Sequence, residues 1–316
     1  MYQKIMVPLD GSQLSEGIVP YARSFAEALK VPVELLHVID PEIIKTFSDP
    51  ERGRYVDVVE AEMQQHGIHY LEEIANKQLG RRSPDAFSVS CSVVIGKPAE
   101  TIIDRGSADP GALITMATHG RSGVQRWFLG SVADKVLRAA ANHLLLVRTT
   151  EETKNTGAAV LNAVLVPLDG SIAAEGVLPS VTFLAKKMDL DVVLLRVYSL
   201  LGSAYYGIEA YAPDFGPLEE QMRGEAREYL EEKVRQLKGK GLQRISCVSL
   251  QGFGADEIID LARKTPENFV AMCTHGRSGV GRWVLGSVTD RVVRHSGHPV
   301  LVIRASAEGS QEVLAP

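Results

Sequence analysis

Apolar residues along this chain alternate between two rhythms, continuous short runs and longer stretches with helical spacing. Lys4 to Leu9 is an apolar run of the kind expected for a buried parallel strand, and Asp10-Gly11-Ser12 follows with turn and cap chemistry. Gln13 to Leu29 carries apolar residues at helical spacing and predicts one helix, locally kinked at Pro20. Val33 to Ile39 reads as a second strand. Asp40 to Arg54 contains Pro41, Pro50 and Gly53 and reads as a long irregular connection, of a length usually found over a site or floating free. The pattern then predicts a helix over Val56 to Leu79, a strand over Phe87 to Ile95 and a short helix from Pro98 to Arg105, opened by proline. A strand over Ala112 to Ala117, a helix over Val132 to Ala141 and a last strand over Leu144 to Arg148 complete the series. Such alternation predicts an α/β fold, a parallel sheet wrapped on both faces by right-handed crossovers.

The same series is then written again. Val7-Pro8-Leu9-Asp10-Gly11-Ser12 recurs as Val166-Pro167-Leu168-Asp169-Gly170-Ser171, and Tyr70-Leu71-Glu72-Glu73 recurs as Tyr229-Leu230-Glu231-Glu232, both at an offset of 159. Further on, Ile102-Ile103-Asp104 recurs as Ile258-Ile259-Asp260 at an offset of 156, so a small deletion separates the copies. The period is too long for a solenoid and right for two globular modules. Domains are expected at 1–150 and 158–305, with Glu151 to Gly157 as a polar linker and Ala305 to Pro316 as a loose tail. The final strands, His143 to Arg148 and His298 to Arg304, are apolar with little gatekeeping charge and are expected to pair across a pseudo-twofold axis. The connection Ser199 to Gly216 resembles its counterpart at 40–54 little.

Composition narrows the class. The chain has 316 residues, 45% hydrophobic and 23% charged, with formal charge -5, which suits a globular protein and gives no reason to expect nucleic-acid binding. Met1 leads straight into a strand-like run, with no signal-peptide core and no apolar span of membrane length, so a cytoplasmic protein is expected. Cys91, Cys247 and Cys273 lie in apolar runs without metal-ligand spacing and read as buried thiols.

The candidate chemistry sits after the fourth strand of each copy. Thr118-His119-Gly120-Arg121-Ser122-Gly123 leads to Gly130-Ser131, and Thr274-His275-Gly276-Arg277-Ser278-Gly279 leads to Gly286-Ser287. Strand, glycine-bearing loop and helix start in that order make an anion-holding arrangement, because free N–H groups and the positive end of the helix dipole face the ligand. Ser131 and Ser287 are expected as the N-caps. The alternative is that these glycines only make turns. Asp10 and Asp169 can accept from a ribose hydroxyl or from water on a magnesium ion, or can act as helix caps, and the two roles are compatible. Val38 and Val197 could offer backbone groups to a base, or be plain sheet residues. Arg121, Arg277, Arg126 and Arg282 could clamp phosphate or lie solvated, and Trp127 and Trp283 read as packing anchors. His119 and His275 are not assigned catalysis, since neither a triad nor a metal cluster accompanies them. No P-loop or dinucleotide fingerprint is present.

Taken together these residues resemble the universal stress protein family in its tandem, two-domain, ATP-binding form. The carrying motifs are Val7-Pro8-Leu9-Asp10, His37-Val38 and Thr118-His119-Gly120 followed by Gly130-Ser131, each matched in the second copy. The resemblance implies doubly wound sheets of order 3-2-1-4-5 and a nucleotide site in each copy. In the first, Val38 would hold the base, Asp10 the sugar and Gly120, Gly130 and Ser131 the phosphates, with Pro8, Ala117, His119, Arg121, Gly123 and Val132 around them. In the second, the roles fall on Val197, Asp169, Gly276, Gly286 and Ser287, with Pro167, Arg277, Gly279 and Val288 alongside. The first glycine of the family's phosphate motif is Ala117 here and Cys273 in the second copy, which adds bulk, most of all in the second site.

The implied cofactor is ATP, ADP or AMP, with magnesium as an accompanying ion. The leading reading is a nucleotide-binding stress-response regulator with no catalytic residue, beside a slow magnesium-dependent ATP hydrolase and a scaffold or chaperone-like protein. Expected partners are an adenine nucleotide, a protein of unspecified kind and, as one option, a second copy of the chain. Neither nucleic acid nor a membrane is expected.

Overall fold

The computed structural model describes residues 1–49, 51, 55–80, 87–118, 129–149, 158–199, 216–274 and 285–304. The chain splits into two compact units, Met1–Val160 and Leu161–Pro316. In the first, the elements run β1 (Lys4–Pro8), α1 (Gln13–Glu16), α2 (Val19–Leu29), β2 (Val33–Ile39), α3 (Pro41–Phe47), α4 (Val56–Gln78), β3 (Val89–Ile95), α5 (Pro98–Ala108), β4 (Ala112–Ala117), α6 (Ser131–Ala139) and β5 (Leu144–Val147). Its strands lie in the order β3-β2-β1-β4-β5, and each pair is parallel. The second unit contains β6 (Ala163–Pro167), α7 (Ile172–Glu175), α8 (Leu178–Met188), β7 (Asp191–Tyr198), α9 (Gly216–Gly239), β8 (Ile245–Gln251), α10 (Gly254–Lys264), β9 (Asn268–Cys273), α11 (Ser287–His295) and β10 (Val300–Ile303). Its order is β8-β7-β6-β9-β10, again all parallel. Both units therefore have the 3-2-1-4-5 order that the resemblance implies.

The central strands are apolar on consecutive residues because helices cover both faces. Ile5, Met6 and Val7 of β1 and Leu113 and Ile114 of β4 are all fully buried.

Two stretches differ from their sequence expectation. Gln13 to Leu29 is two helices, broken at Gly17 and Ile18. A Cβ on Gly17 would run into Thr149, so the break lets the chain close on the end of β5. Pro20 lies in the first turn of α2, where its missing N–H costs nothing, and so it opens that helix instead of kinking it. Likewise 40–54 is not irregular throughout. Asp40 accepts the Glu42 N–H at 2.9 Å and Pro41 takes the first helical position of α3, so a proline that reads as a breaker acts as a starter. Ile44 of α3 is buried against Ile39 and Val59.

Each unit ties the end of the helix before its fourth strand, α5 or α10, to the sheet with a buried asparagine, from different places in the repeat. Asn142 Nδ2 donates to the carbonyls of Asp109 and Ala112 at 3.0 and 3.1 Å. In the second unit Asn268 Nδ2 donates to the carbonyls of Ala262, at 2.8 Å, and Thr265. Replacing Asn142 with leucine leaves both acceptors without this donor, and an expected loss of about 2 kcal/mol is checked as a lowered urea midpoint at unchanged slope.

Candidate functional site

In each unit the crossovers leave the first strand toward one side and return beyond it on the other. β1 therefore has β2 and β4 as its neighbours, and the carboxyl ends of β1 and β4 flank a switch point, the usual place for a ligand crevice in such sheets. The turn at Asp10 and the start of the glycine loop thus meet at one edge, as expected for neighbouring strands.

The ladder on β1 ends where the Leu9 N–H donates to the Leu36 carbonyl at 2.8 Å. Along β2, alternate residues aim their backbone groups at the same neighbour. Val38, two residues past Leu36, thus presents its N–H and C=O toward the space β1 has vacated. Leu168 and Leu195 repeat the last rung at 2.8 Å, which puts Val197 in the same relation to β6. Pro8 and Pro167 are the last residues of β1 and β6.

Asp10 and Asp169 are occupied in the same way. Asp10 Oδ1 accepts the Ser12 N–H at 2.9 Å and the Ser12 hydroxyl at 2.6 Å, and Asp169 Oδ1 accepts the same pair from Ser171 at 2.9 and 2.6 Å. The intervening Gly11 and Gly170 have φ of 83° and 88°, a left-handed turn that suits glycine. Ser12 and Ser171 in turn cap α1 and α7, accepting the N–H groups of Ser15 and Ala174 at 3.1 Å. The aspartates thus orient the capping serines and do not cap the helices themselves.

At the other wall, Thr118 N–H continues the sheet to the Val147 carbonyl at 2.9 Å, and Gly130 N–H returns to the Thr118 carbonyl at 2.6 Å. The second unit repeats this with Thr274 to Ile303 at 3.1 Å and Gly286 to Thr274 at 2.7 Å. The loop between Thr118 and Gly130 is therefore closed at its base by one hydrogen bond. A Cβ on Gly286 would stand 3.1 Å from the Thr274 carbonyl oxygen, which explains a glycine at that return point.

The expected capping serines require correction. Gly130 and Gly286 are the N-caps, and Ser131 and Ser287 are the first residues inside α6 and α11, with no side-chain capping bond at either. The bond to Thr118 holds Gly130 extended one residue earlier than the sequence pattern suggests. Asp134 N–H makes the first helical bond, to the Gly130 carbonyl at 2.8 Å, so the N–H groups of Ser131, Val132 and Ala133 have no acceptor within their helix. The same geometry holds for Ser287, Val288 and Thr289, with Asp290 bonded to Gly286 at 2.9 Å. His119, Gly120, Arg121, Gly123, Arg126 and Trp127, with His275, Gly276, Arg277, Gly279, Arg282 and Trp283, lie outside the described residues.

The two substituted glycine positions are buried strand ends. Ala117 and Cys273 close β4 and β9. The Cys273 sulfur packs toward Gly176, 3.5 Å from where a Cβ there would be, while its carbonyl accepts the Thr289 hydroxyl at 2.9 Å. Its bulk is thus taken up under the α7 turn. Burial, and secondarily the charge of Asp169, push its pKa up to about 12.

A side-chain group missing from the sequence reading backs each crevice. Tyr70 OH donates to Glu16 Oε1 at 3.2 Å and Tyr229 OH to Glu175 Oε1 at 2.8 Å, both pairs 54 residues apart. Desolvation raises the Glu16 pKa above its ordinary value, only partly offset by the Tyr70 bond. His37 donates from Nδ1 to the Leu9 carbonyl at 2.8 Å and meets the Tyr70 ring edge-on, with centroids 6.1 Å apart. The one available signal was the equal Glu-to-Tyr spacing in both copies. Among the described residues there is no group of three or more His, Cys, Asp or Glu that could hold a metal, and no helix long and apolar enough to cross a membrane.

The family model described as "Universal stress protein family" matches residues 1–148 and again 161–304. The chain belongs to the universal stress protein family. It is 24% identical over 305 residues to a universal stress protein of Mycolicibacterium smegmatis, covering 95% of this chain and 96% of that one. A universal stress protein of Mycobacterium tuberculosis is 26% identical over 309 residues, with 96% of both chains covered. The crystal structure of a universal stress protein from Archaeoglobus fulgidus superposes with a TM-score of 0.67 at 20% identity, covering 96% of this chain and 98% of that one, a likeness of fold. Both full-length relatives have the two-domain size found here.

The raised pKa of Cys273 gives a directional expectation for this family member. With the folded value above the ordinary 9.0, the thiol's contribution to stability is complete below pH 9 and is lost as pH rises toward 12. In the native chain at pH 8, Cys273 should resist iodoacetamide while the half-buried Cys91 and Cys247 react first. Peptide mass spectrometry before and after unfolding in urea checks the order, and rapid native labelling of Cys273 would contradict it.

Proposed function

We propose that the chain is an adenine-nucleotide-binding regulator of the stress response, with a crevice in each domain at the end of the first and fourth strands. What supports this reading is that, in both domains, the Asp10 or Asp169 turn and a glycine-capped helix start with no capping side chain follow neighbouring strands, the first and the fourth. Three N–H groups at each of those helix starts aim along a positive dipole end, which suits phosphate oxygens. The vacated backbone edge at Val38 and Val197 suits the hydrogen-bonding edge of a base, and the aspartates between suit a sugar. One oxygen of each aspartate already accepts twice from its serine, so the aspartates hold the sugar as fixed acceptors. Magnesium bound with the phosphates would neutralise their charge. Binding alters the surface offered to a protein partner.

Heat denaturation of freshly purified chain should release an adenine nucleotide detectable by mass spectrometry. Calorimetry with ATP and magnesium should register binding that is lost when Asp10 and Asp169 are both replaced by alanine in a chain that still unfolds cooperatively. Retained affinity in that double variant would remove the site assignment. Recovery of the nucleotide as intact triphosphate after incubation separates the regulator from a slow hydrolase.

A further inference from the structure

The two crevices are not copies at the corner beside the second strand. In the second domain Arg196, the neighbour of Val197 on β7, lays its guanidinium near both Gly170 and Tyr229. Its Cζ stands 4.9 Å from the ring centroid. Its Cζ, Nη1 and Nη2 lie 3.4, 3.5 and 3.4 Å from where a Gly170 Cβ would be. Those near-equal distances mean that the plane lies flat on the turn that follows Asp169. A Cβ at residue 170 would touch it at ordinary van der Waals distance, and the φ of 88° there disfavours a side chain.

The ring beneath is itself fixed. Tyr229 OH donates to Glu175 Oε1 at 2.8 Å, and Glu175 Oε2 takes the Lys233 ammonium at 2.7 Å. The Glu175 carboxylate is thus already engaged by two other groups. Arg196 makes no hydrogen bond or ion pair among the described residues. A guanidinium laid flat on the Gly170 turn and close to the Tyr229 ring keeps its N–H donors in its own plane, a fork for anionic oxygen.

The first domain has no arginine at this position. His37 stands there and donates from Nδ1 to the Leu9 carbonyl, and buried Ile74 stands where Lys233 is. Placement also limits what an anion at Arg196 can belong to. The strand order runs β7-β6-β9, so Arg196 and the strand that leads to α11 flank β6 and its Asp169 turn from opposite sides.

We propose that Arg196 is a specificity-determining residue that makes the second crevice select a nucleotide carrying an additional phosphate on its ribose, at the 2′ or 3′ position, whereas the first crevice takes simple 5′-nucleotides. This rests on the nucleotide reading of the crevice. The 5′-phosphate faces α11, the sugar sits at Asp169, and the second phosphate is directed to the β7 side, where the guanidinium waits.

Calorimetry on the full chain tests it, with Asp10→Ala silencing the first crevice and AMP compared with adenosine 3′,5′-bisphosphate. The bisphosphate should bind about tenfold or more tightly than AMP, the effect of a charge-assisted hydrogen bond. With Arg196→Gln added, the ratio of the two affinities should fall toward one. Arg196→Lys, which keeps the charge but loses the flat fork, should retain part of the preference and serves as the measurement if the glutamine variant does not fold. Equal affinities in the parent chain, or an unchanged ratio in the glutamine and lysine variants, would overturn the assignment to Arg196 and leave the nucleotide reading standing. Failure of both ligands to bind would overturn the two together.

Discussion

The working edge of each domain depends on the point at which its first strand stops. β1 makes its last rung through Leu9 and β6 through Leu168, both to the neighbouring second strand at 2.8 Å. A backbone that leaves the sheet there must satisfy its next groups locally, because a buried unpaired N–H or C=O costs about 1–3 kcal/mol. The left-handed glycine, the aspartate oxygen and the capping serine do this within three residues. The second strand continues past that point to Ile39 or Tyr198. An early stop beside a longer neighbour is what opens the crevice, and the fourth strand on the other side supplies its second wall.

That wall obeys the same constraint by a different device. The chain leaves β4 at Thr118 and comes back at Gly130 on a main-chain bond to the residue it left. Because the loop is pinned at its neck, the helix that follows starts at a fixed distance from the sheet whatever lies between. The bond also takes up the cap residue's own N–H and leaves the next three without an acceptor in the helix, so the start of α6 is set by backbone geometry. The side chain of Ser131 has no part in the capping.

The sheet was legible from the chain because burial on both faces demands continuous apolar runs, and Val33–Ile39 and Ala112–Ala117 stand where the pattern puts them. Breaks and starts were harder to read. Gly17 and Pro20 inside an unbroken helical pattern give no local sign of the contact with Thr149 that separates α1 from α2. Pro41 and Pro20 both sit in first turns, where proline is tolerated, but a sequence window sees only a breaker. The cap at Gly130 was read one residue late because its extended conformation is imposed by Thr118, remote in sequence. The Glu16–Tyr70 and Glu175–Tyr229 pairs join residues too far apart for any local rule, and only the equal spacing in the two copies marks them.

Duplication explains why the copies can differ where they do. The bonds that shape the two crevice edges run mostly through main-chain atoms and recur in both domains, so they constrain few side chains. Around that frame, substitution has been freer. Ser15 is Ala174 and Ala133 is Thr289, whose hydroxyl bonds the Cys273 carbonyl. The asparagine tying helix to sheet has moved from Asn142 to Asn268 without loss of its role. His37 and Arg196 belong to the same class of change, since neither contributes to the ladder's last rung. His37 ties its imidazole to the Leu9 carbonyl at the end of β1, whereas Arg196 lays a guanidinium on the turn after Asp169. With the frame common to both domains, differences between the two crevices must come from such side chains.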